Sequence, residues 1–383
     1  MDTRDQDRLA YYRKNISEGR VDAKMGTRLL AYAADILLVW LIALIAFTAG
    51  IQILINGGLS KELGTLAKSM QDEAIASSLI HYTAEGAAET DLVRSERYVK
   101  AIYGYDGSEQ PKDELFQYYC VYVSKGKEAT PVSDFNKNIL KIDDADSFFE
   151  LRGEYAVLKP ANVALLDNYY SIDKTAEGIN LHKAIVDFYS AAHDAAWKQF
   201  REAEPYVGML NEYMAKATAY YVAIGGVHIG CYFLSSAICF LLIPAIKKRG
   251  TTFGKKILHI EPVMLDGKPI TLASIFIRGA IEMLLSCFLI PLCGLFIYGF
   301  DSMTVPFLVA GPVVAQLSIF FIAGLILSIV SLVFAIARKD NRALTDLAGG
   351  TWVITADPVS IRNAQAELKA KMKEEAERGS DGE

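Results

Sequence analysis

Two pairs of opposite charges stand at the heads of long apolar stretches. Arg28 and Asp35 are seven residues apart, and Arg278 and Glu282 are four apart. On a helix both separations put the two side chains on one face. At 1.5 Å per residue, Asp35 lies roughly 10 Å further along its helix than Arg28. A carboxylate near a guanidinium in a poorly polar medium suits two kinds of chemistry. It can trade a proton or a monovalent cation, or it can tie helices together as a paired charge. Both readings stay open here. Other chemistry has little support. Cys287 and Cys293 are six apart with no His or acidic partner at zinc spacing, and no Ser or Cys has a recognisable base nearby in sequence. A metal, a cofactor and enzymatic activity are therefore not expected.

The elements that must position these charges are four nearly charge-free stretches, 29–55, 220–246, 275–300 and 305–337. Each exceeds the ~20 residues a helix needs to cross a bilayer. Four all-round apolar helices could hardly be buried in water by the polar remainder of this chain. The average composition conceals this. Of 383 residues 52% are hydrophobic and 22% charged, with a net charge of -6 and a mean hydropathy of +0.22. Scarce Pro and Cys exclude a disordered or disulfide-stapled chain, and the acidic balance speaks against a nucleic-acid partner. The first stretch follows 28 residues of leader and is about twice a signal core in length, so a retained span is expected.

Lys and Arg near the span ends set the orientation. Residues 1–28 carry Arg4, Arg8, Arg13, Lys14, Arg20 and Lys24 before Arg28. Segment 247–274 carries six more, beginning at Lys247, and the tail 338–383 opens with Arg338, Lys339 and Arg342. The connection 301–304 has none. The expectation is a multi-pass protein of the plasma membrane with both termini and 247–274 cytoplasmic. The fold class expected is an all-α, four-helix transmembrane protein with a small cytoplasmic β-hairpin and a mainly α extracytoplasmic domain.

That outer domain, 56–219, has 17 basic and 26 acidic residues, a net of -9. It is too long for a structureless loop. Ile185, Phe188, Ala192, Ala195, Ala196 and Phe200 repeat at helical spacing within 182–221, with Pro205 as a kink or break. The sequences QYYCVYV and YAVL lean towards strand, with turn signals at Gly107, Gly126 and Pro131. Many tyrosines, among them Tyr98, Tyr118, Tyr119 and Tyr170, suit both a small core and a binding surface. Cys120 is the region's sole cysteine, so no internal disulfide is possible.

On the cytoplasmic side, 257–265 and 269–272 flank Asp266-Gly267, a turn signal for a hairpin. Thr351–Thr355 is a strand candidate that would pair with it. The glycines at 250 and 254 are too close for a Walker-type phosphate loop. The tail residues 363–378 read as a solvated polar helix.

Three separated segments, GTRLLAYAADILLVW, GTTFGKKILHIEPVMLDGKPITLASIFIRG and RALTDLAGGTWVI, together resemble the RDD family of polytopic membrane proteins of bacteria and archaea. By position the family's arginine corresponds to Arg28, and its two aspartates to Asp35 and Asp346. Gly254-Lys255-Lys256, Asp266-Gly267 and Arg278 also match the middle stretch. The resemblance covers 26–55 and 219–356, about half the chain, and leaves the outer domain as an insertion of this protein's own. It implies transport of a ligand, which in some members is sodium/proton exchange. Two functions follow as expectations. In the first, Asp35 carries a cation or proton, Arg28 favours its charged form, and the small number of spans calls for a homo-oligomer. In the second, the protein is a non-transporting scaffold or sensor whose outer domain binds a ligand or partner while the inner charges only hold helices together. An alternative role for Asp346 is to cap a helix starting near Leu347.

Overall fold

The computed structural model describes residues 19–82, 87–123, 130–171, 174–247, 249–338 and 342–380. Arg4, Arg8, Arg13, Lys14, Lys248 and Lys339 of the flanking basic clusters, and Gly126, lie outside the described residues. Contacts divide the chain into two units, one made of Met1–Ser60 with Thr218–Glu383, the other of Lys61–Ala217.

After the short strand β1 (Val21–Asp22), the first apolar stretch forms α1 (Met25–Ile55). Its buried residues are Ala31, Asp35, Val39, Ala43, Phe47 and Ile51, one every four positions. That is a narrow stripe on one side of a helix. Leu30, Leu37, Leu41, Ile45 and Ile53 are exposed around the rest. A helix so apolar that packs on so little of its circumference needs lipid against the remainder.

The unit Lys61–Ala217 contains most of α2 (Gly58–Ala76), then α3 (Asp91–Tyr103), the hairpin of β2 (Phe149–Arg152) and β3 (Tyr155–Leu158), α4 (Pro160–Tyr170) and α5 (Ala176–Glu202). Thr90 and Thr175 begin α3 and α5 by accepting from backbone N–H groups of the first turn. On α5 the buried positions Gly178, His182, Ile185, Tyr189, His193, Ala196 and Phe200 advance by three or four, the spacing seen in the sequence. They meet Tyr98, Leu115, Phe116, Tyr118, Phe135, Phe149 and Leu166 in one aromatic core. The tyrosines Tyr98, Tyr118 and Tyr119 are thus core residues, whereas Tyr170 is exposed. YAVL is a strand as expected, but Gln117–Tyr122 is a π-helical turn. Packing Tyr118 and Tyr119 inward together outweighs the strand preference of QYYCVYV.

The next helix, α6 (Tyr206–Ala237), starts just after Pro205 and continues through a π turn at Ile238–Leu242 to Lys247. It begins well before residue 220, because the polar turns from 206 onward are still helical. A single-turn helix α7 (Phe253–Ile257) and β4 (Ile260–Met264) precede α8 (Leu272–Leu285). Then come the hairpin of β5 (Pro306–Ala310) and β6 (Val313–Gln316), the apolar α9 (Ser318–Ala337), the short α10 (Leu344–Ala348), β7 (Thr351–Thr355) and the tail helix α11 (Pro358–Ser380). β7 is central in a three-stranded antiparallel sheet between β1 and β4, as the TWVIT expectation required. Asp266-Gly267 does turn the chain, with Gly267 at positive φ, but the second arm returns only as a bridge between Val263 and Pro269.

The expectation of four spanning helices needs correction. Among the described residues three helices, Met25–Ile55, Tyr206–Lys247 and Ser318–Ala337, are long and apolar enough to cross a membrane. Segment 275–300 is not one helix. It stops at Leu285 and resumes in two short turns, Leu289–Leu292 and Leu295–Tyr298. The Ser286 hydroxyl donates back to the Glu282 carbonyl, Pro291 lacks a donor, and Gly299 adopts a positive φ. Segment 305–337 likewise starts as the β5–β6 hairpin, because Gly311 turns at positive φ directly before Pro312. Apolar composition alone could not register these breaks.

Candidate functional site

The charges singled out in the sequence do assemble, though not in the pairs their spacing suggests. α7 lies across α1 so closely that a Cβ on Gly254 would collide with the carbonyl of Ala31. This approach brings the start of α7 to Asp35. Gly254 N–H donates to Asp35 Oδ1 at 2.7 Å and the Thr252 hydroxyl to Oδ2 at 2.5 Å. Asp35, 2% exposed, therefore accepts from a helix start, and its partner is not Arg28. If it only holds α7 in place, Asp35→Asn keeps an acceptor for Gly254 N–H but turns two charge-assisted bonds into neutral ones and forces the Thr252 hydroxyl to reverse its role. The expected loss is about 1–3 kcal/mol, read as a lower unfolding temperature in detergent. An unchanged unfolding temperature with altered activity would instead make Asp35 a working group.

Arg28 turns towards the sheet and α10. Its Nε donates to the Ala23 carbonyl at 3.1 Å and Nη2 to the Val353 carbonyl at 2.8 Å. Asp22 and Asp346 lie 3.9 and 3.8 Å away. Arg278, 4% exposed, donates through Nη1 to both Asp346 and the Thr351 hydroxyl. Asp346 is thereby held by two arginines from distant segments. Its Oδ2 also accepts from Ala343 N–H at 3.3 Å, so it steadies the first turn of α10, which starts at Leu344 and not near Leu347. Ion pairing and helix-start capping, set against each other in the sequence, coexist at this carboxylate. Glu282 is bound by Lys255 Nζ at 2.7 Å, and Arg278 Nη2 is 3.9 Å away.

Beside this network lies a cavity of about 270 Å³. Arg28, Lys255, Arg278, Glu282 and Asp346 all line it, whereas Asp35 does not. Its further walls come from the start of α1, the end of α9 and Leu285 of α8. The hydroxyl of Tyr32, also in the wall, is buried beside Ser328 and has no partner in hydrogen-bond geometry among the described residues. The Ser328 hydroxyl beside it donates to the Leu285 carbonyl at 2.6 Å. The arrangement can bind a small charged or amphiphilic molecule where α1 and α8 begin and α9 ends.

Lys255, Tyr32, Thr252 and Thr351 were not legible as site residues. Lys255 reads as one of two adjacent flanking cations, yet it is buried and Lys256 is exposed. The usable signal was Gly254 itself, since a glycine beside charged residues often marks a close backbone approach.

The unit Lys61–Ala217 has a buried polar cluster of its own. Glu114 pairs with Arg97, which also holds Glu89, and His81 is 3.3 Å from Glu114. Adjacent Asp113 accepts from Phe116 N–H at 3.0 Å. Burial raises the Asp113 carboxyl to about 6 and also raises Glu114, against the opposing pull of Arg97. Tyr98 and Tyr189 stack beside them with ring centres 5.0 Å apart, and the Tyr189 hydroxyl has no partner among the described residues. His193 donates from Nε2 to the Leu79 carbonyl at 2.9 Å, and burial lowers its pKa.

Comparison with individual curated proteins gives no match, and neither does comparison with solved structures. A family model does match. It spans residues 208–350, which include Lys255, Arg278, Glu282 and Asp346, while Arg28 and Asp35 precede it. Together with the three long apolar helices it marks an integral membrane protein. The family matched is the RDD family, and the chain carries an RDD family region over residues 208–350.

Proposed function

We propose that this protein is a multi-pass transporter of a small solute, with both termini and 247–274 on the cytoplasmic side and 56–219 outside, the broken segment from α8 to Tyr298 making a fourth crossing beside the three long helices. The observation that carries this reading is the cavity lined by five charged side chains among apolar helices. Charges inside a membrane are costly, and purely structural ones close into sealed pairs. Here they border open space large compared with the ~10–15 Å³ that one water needs on the same measure. The basic residues around the span ends support the orientation.

Glu282 lies between two cations, Lys255 at 2.7 Å and Arg278 at 3.9 Å, so a ligand can shift its partner at small cost. It replaces Asp35 as the carboxylate of choice for a proton- or cation-coupled step. The reading predicts flux in proteoliposomes holding the full chain, screened with alkali cations, protons and small organic anions. Glu282→Gln is expected to lower that flux at least ~10-fold, the loss of about 1.4 kcal/mol of coupling, while the protein stays folded. Absence of flux for every probe with wild type would sink the reading. A homo-oligomer completes the proposal, because three long apolar helices are few for a pathway, and a purely monomeric mass by light scattering would count against it.

A second reading is favoured by one feature. The unit Lys61–Ala217 has a separate aromatic core and a buried charge cluster, as a binding module would. In that case the protein is a sensor or scaffold, and Glu282→Gln changes nothing measurable beyond stability.

A further inference from the structure

The cavity between α1, α8 and α9 has two unlike surfaces. One is polar and rich in donors: Arg28, Lys255, Arg278 and the Tyr32 hydroxyl. Three cations face two carboxylates, and both carboxylates are engaged, Glu282 by Lys255 and Asp346 by Arg278 and Ala343 N–H. Donor capacity is left over. The Tyr32 hydroxyl has no partner in hydrogen-bond geometry among the described residues, and Arg278 Nη2 at 3.9 Å from Glu282 is beyond hydrogen-bond reach. A metal cation would have to displace the protein cations that already hold both carboxylates, whereas the donors are open to an acceptor. It suits an anion.

The other surface is aliphatic, made of Leu29, Leu285, Ile329, Leu332 and Ala335. Leu29, Ile329 and Leu332 are 44%, 53% and 36% exposed, on helices whose outer faces are apolar throughout. The apolar side of the cavity is therefore continuous with surface that lipid covers. A hydrophilic anion would leave these walls wetted, whereas an anionic head on an acyl chain satisfies both surfaces. Basic pockets between spans at the cytoplasmic side are a recurrent way to hold acidic lipid headgroups.

We propose that this cavity binds the phosphate headgroup of an acidic phospholipid, whose acyl chains leave between α1 and α9. The phosphate oxygens accept from Tyr32, Lys255 and Arg278, and Leu29, Ile329 and Leu332 line the path of the chains. The placement in the cytoplasmic leaflet rests on the membrane orientation proposed above, and the solute of the transport reading becomes a lipid or a molecule that shares its site.

The test uses the full chain purified in detergent. The probes are phosphatidylglycerol, phosphatidylcholine with the same acyl chains, and inorganic phosphate, with bound lipid counted by native mass spectrometry and unfolding followed by heating. Phosphatidylglycerol is expected to bind at least about tenfold more tightly than phosphatidylcholine and to raise the unfolding temperature. Tyr32→Phe removes a hydroxyl whose one polar neighbour among the described residues is Ser328, itself bonded to the Leu285 carbonyl, so it should fold normally and weaken phosphatidylglycerol about tenfold. Ala335→Trp fills the cavity from α9 and should abolish the preference. Equal binding of the two lipids overturns the proposal, as does a preference that survives both substitutions. Inorganic phosphate reproducing the whole stabilisation overturns the lipid assignment in favour of a free anion. Lipid preference without any flux would leave this inference standing while removing the transport reading. Flux without lipid preference would do the reverse.

Discussion

Asp346→Ala is expected to lower stability by about 3–5 kcal/mol, enough to unfold much of the protein under conditions where the native chain persists. The carboxylate has three partners that lose it together: Arg278, Arg28 and the Ala343 N–H. Arg278 is 4% exposed and keeps the Thr351 hydroxyl at bonding distance, with only Glu282, already held by Lys255, 3.9 Å away, so most of the compensation of its charge is lost. Removing one member of a buried pair costs more than the pair itself contributes, because the survivor stays desolvated. The double variant Asp346→Leu with Arg278→Met should therefore recover part of the loss. Thermal unfolding of the purified protein in one detergent compares the three chains. A single variant as stable as wild type would mean that water reaches the network and solvates it.

Asp113→Asn is expected to act in the opposite direction, stabilising the unit Lys61–Ala217 at pH 7.5 by up to about 3 kcal/mol. The size follows from a carboxyl raised from 3.8 to about 6, at about 1.4 kcal/mol per pH unit. The folded form holds this proton more tightly than the unfolded one. Its stabilising effect is complete below pH 3.8 and is lost as pH rises through about 6. Glu114 shifts in the same sense. His193 has the opposite slope, since burial lowers its pKa from 6.5 and stability is lost as pH falls below that value. Between pH 4 and 6 the two effects oppose each other in the native chain. In Asp113→Asn the histidine slope is less opposed, so stability should rise more steeply with pH across that window. Hydrogen exchange of residues 61–217 in the full chain reads both the stabilisation and the changed slope. Identical pH profiles for the two chains would show that Asp113 is hydrated.

These two sites differ in how far they could be read in advance. Arg28, Asp35, Arg278, Glu282 and Asp346 stood out because a charge within an apolar run is conspicuous one residue at a time. Their pairing was not legible. Helical spacing suggested Arg28 with Asp35 and Arg278 with Glu282, and those neighbours are the weaker or absent contacts. Asp113 and His193 gave no signal, because a polar residue in a polar stretch becomes unusual only when a core closes over it.

What the sequence alone determined is what depends on local chemistry. The apolar stretches, the helical stripe from Ile185 to Phe200, the break at Pro205, the turn at Asp266-Gly267 and the strand at TWVIT are all properties of neighbours along the chain. What the tertiary structure decided depends on segments that meet across hundreds of residues. Thr252 and Gly254 reach Asp35 from more than two hundred positions away, and Asp346 reaches both Arg28 and Arg278. The breaks after Leu285 and at the β5–β6 hairpin have the same origin, as a helix of apolar residues ends where backbone donors find better partners elsewhere. A buried charge must be satisfied by whatever side chain packing delivers to it. Sequence spacing therefore identifies the charges, and only the packed helices choose their partners and leave the cavity between them.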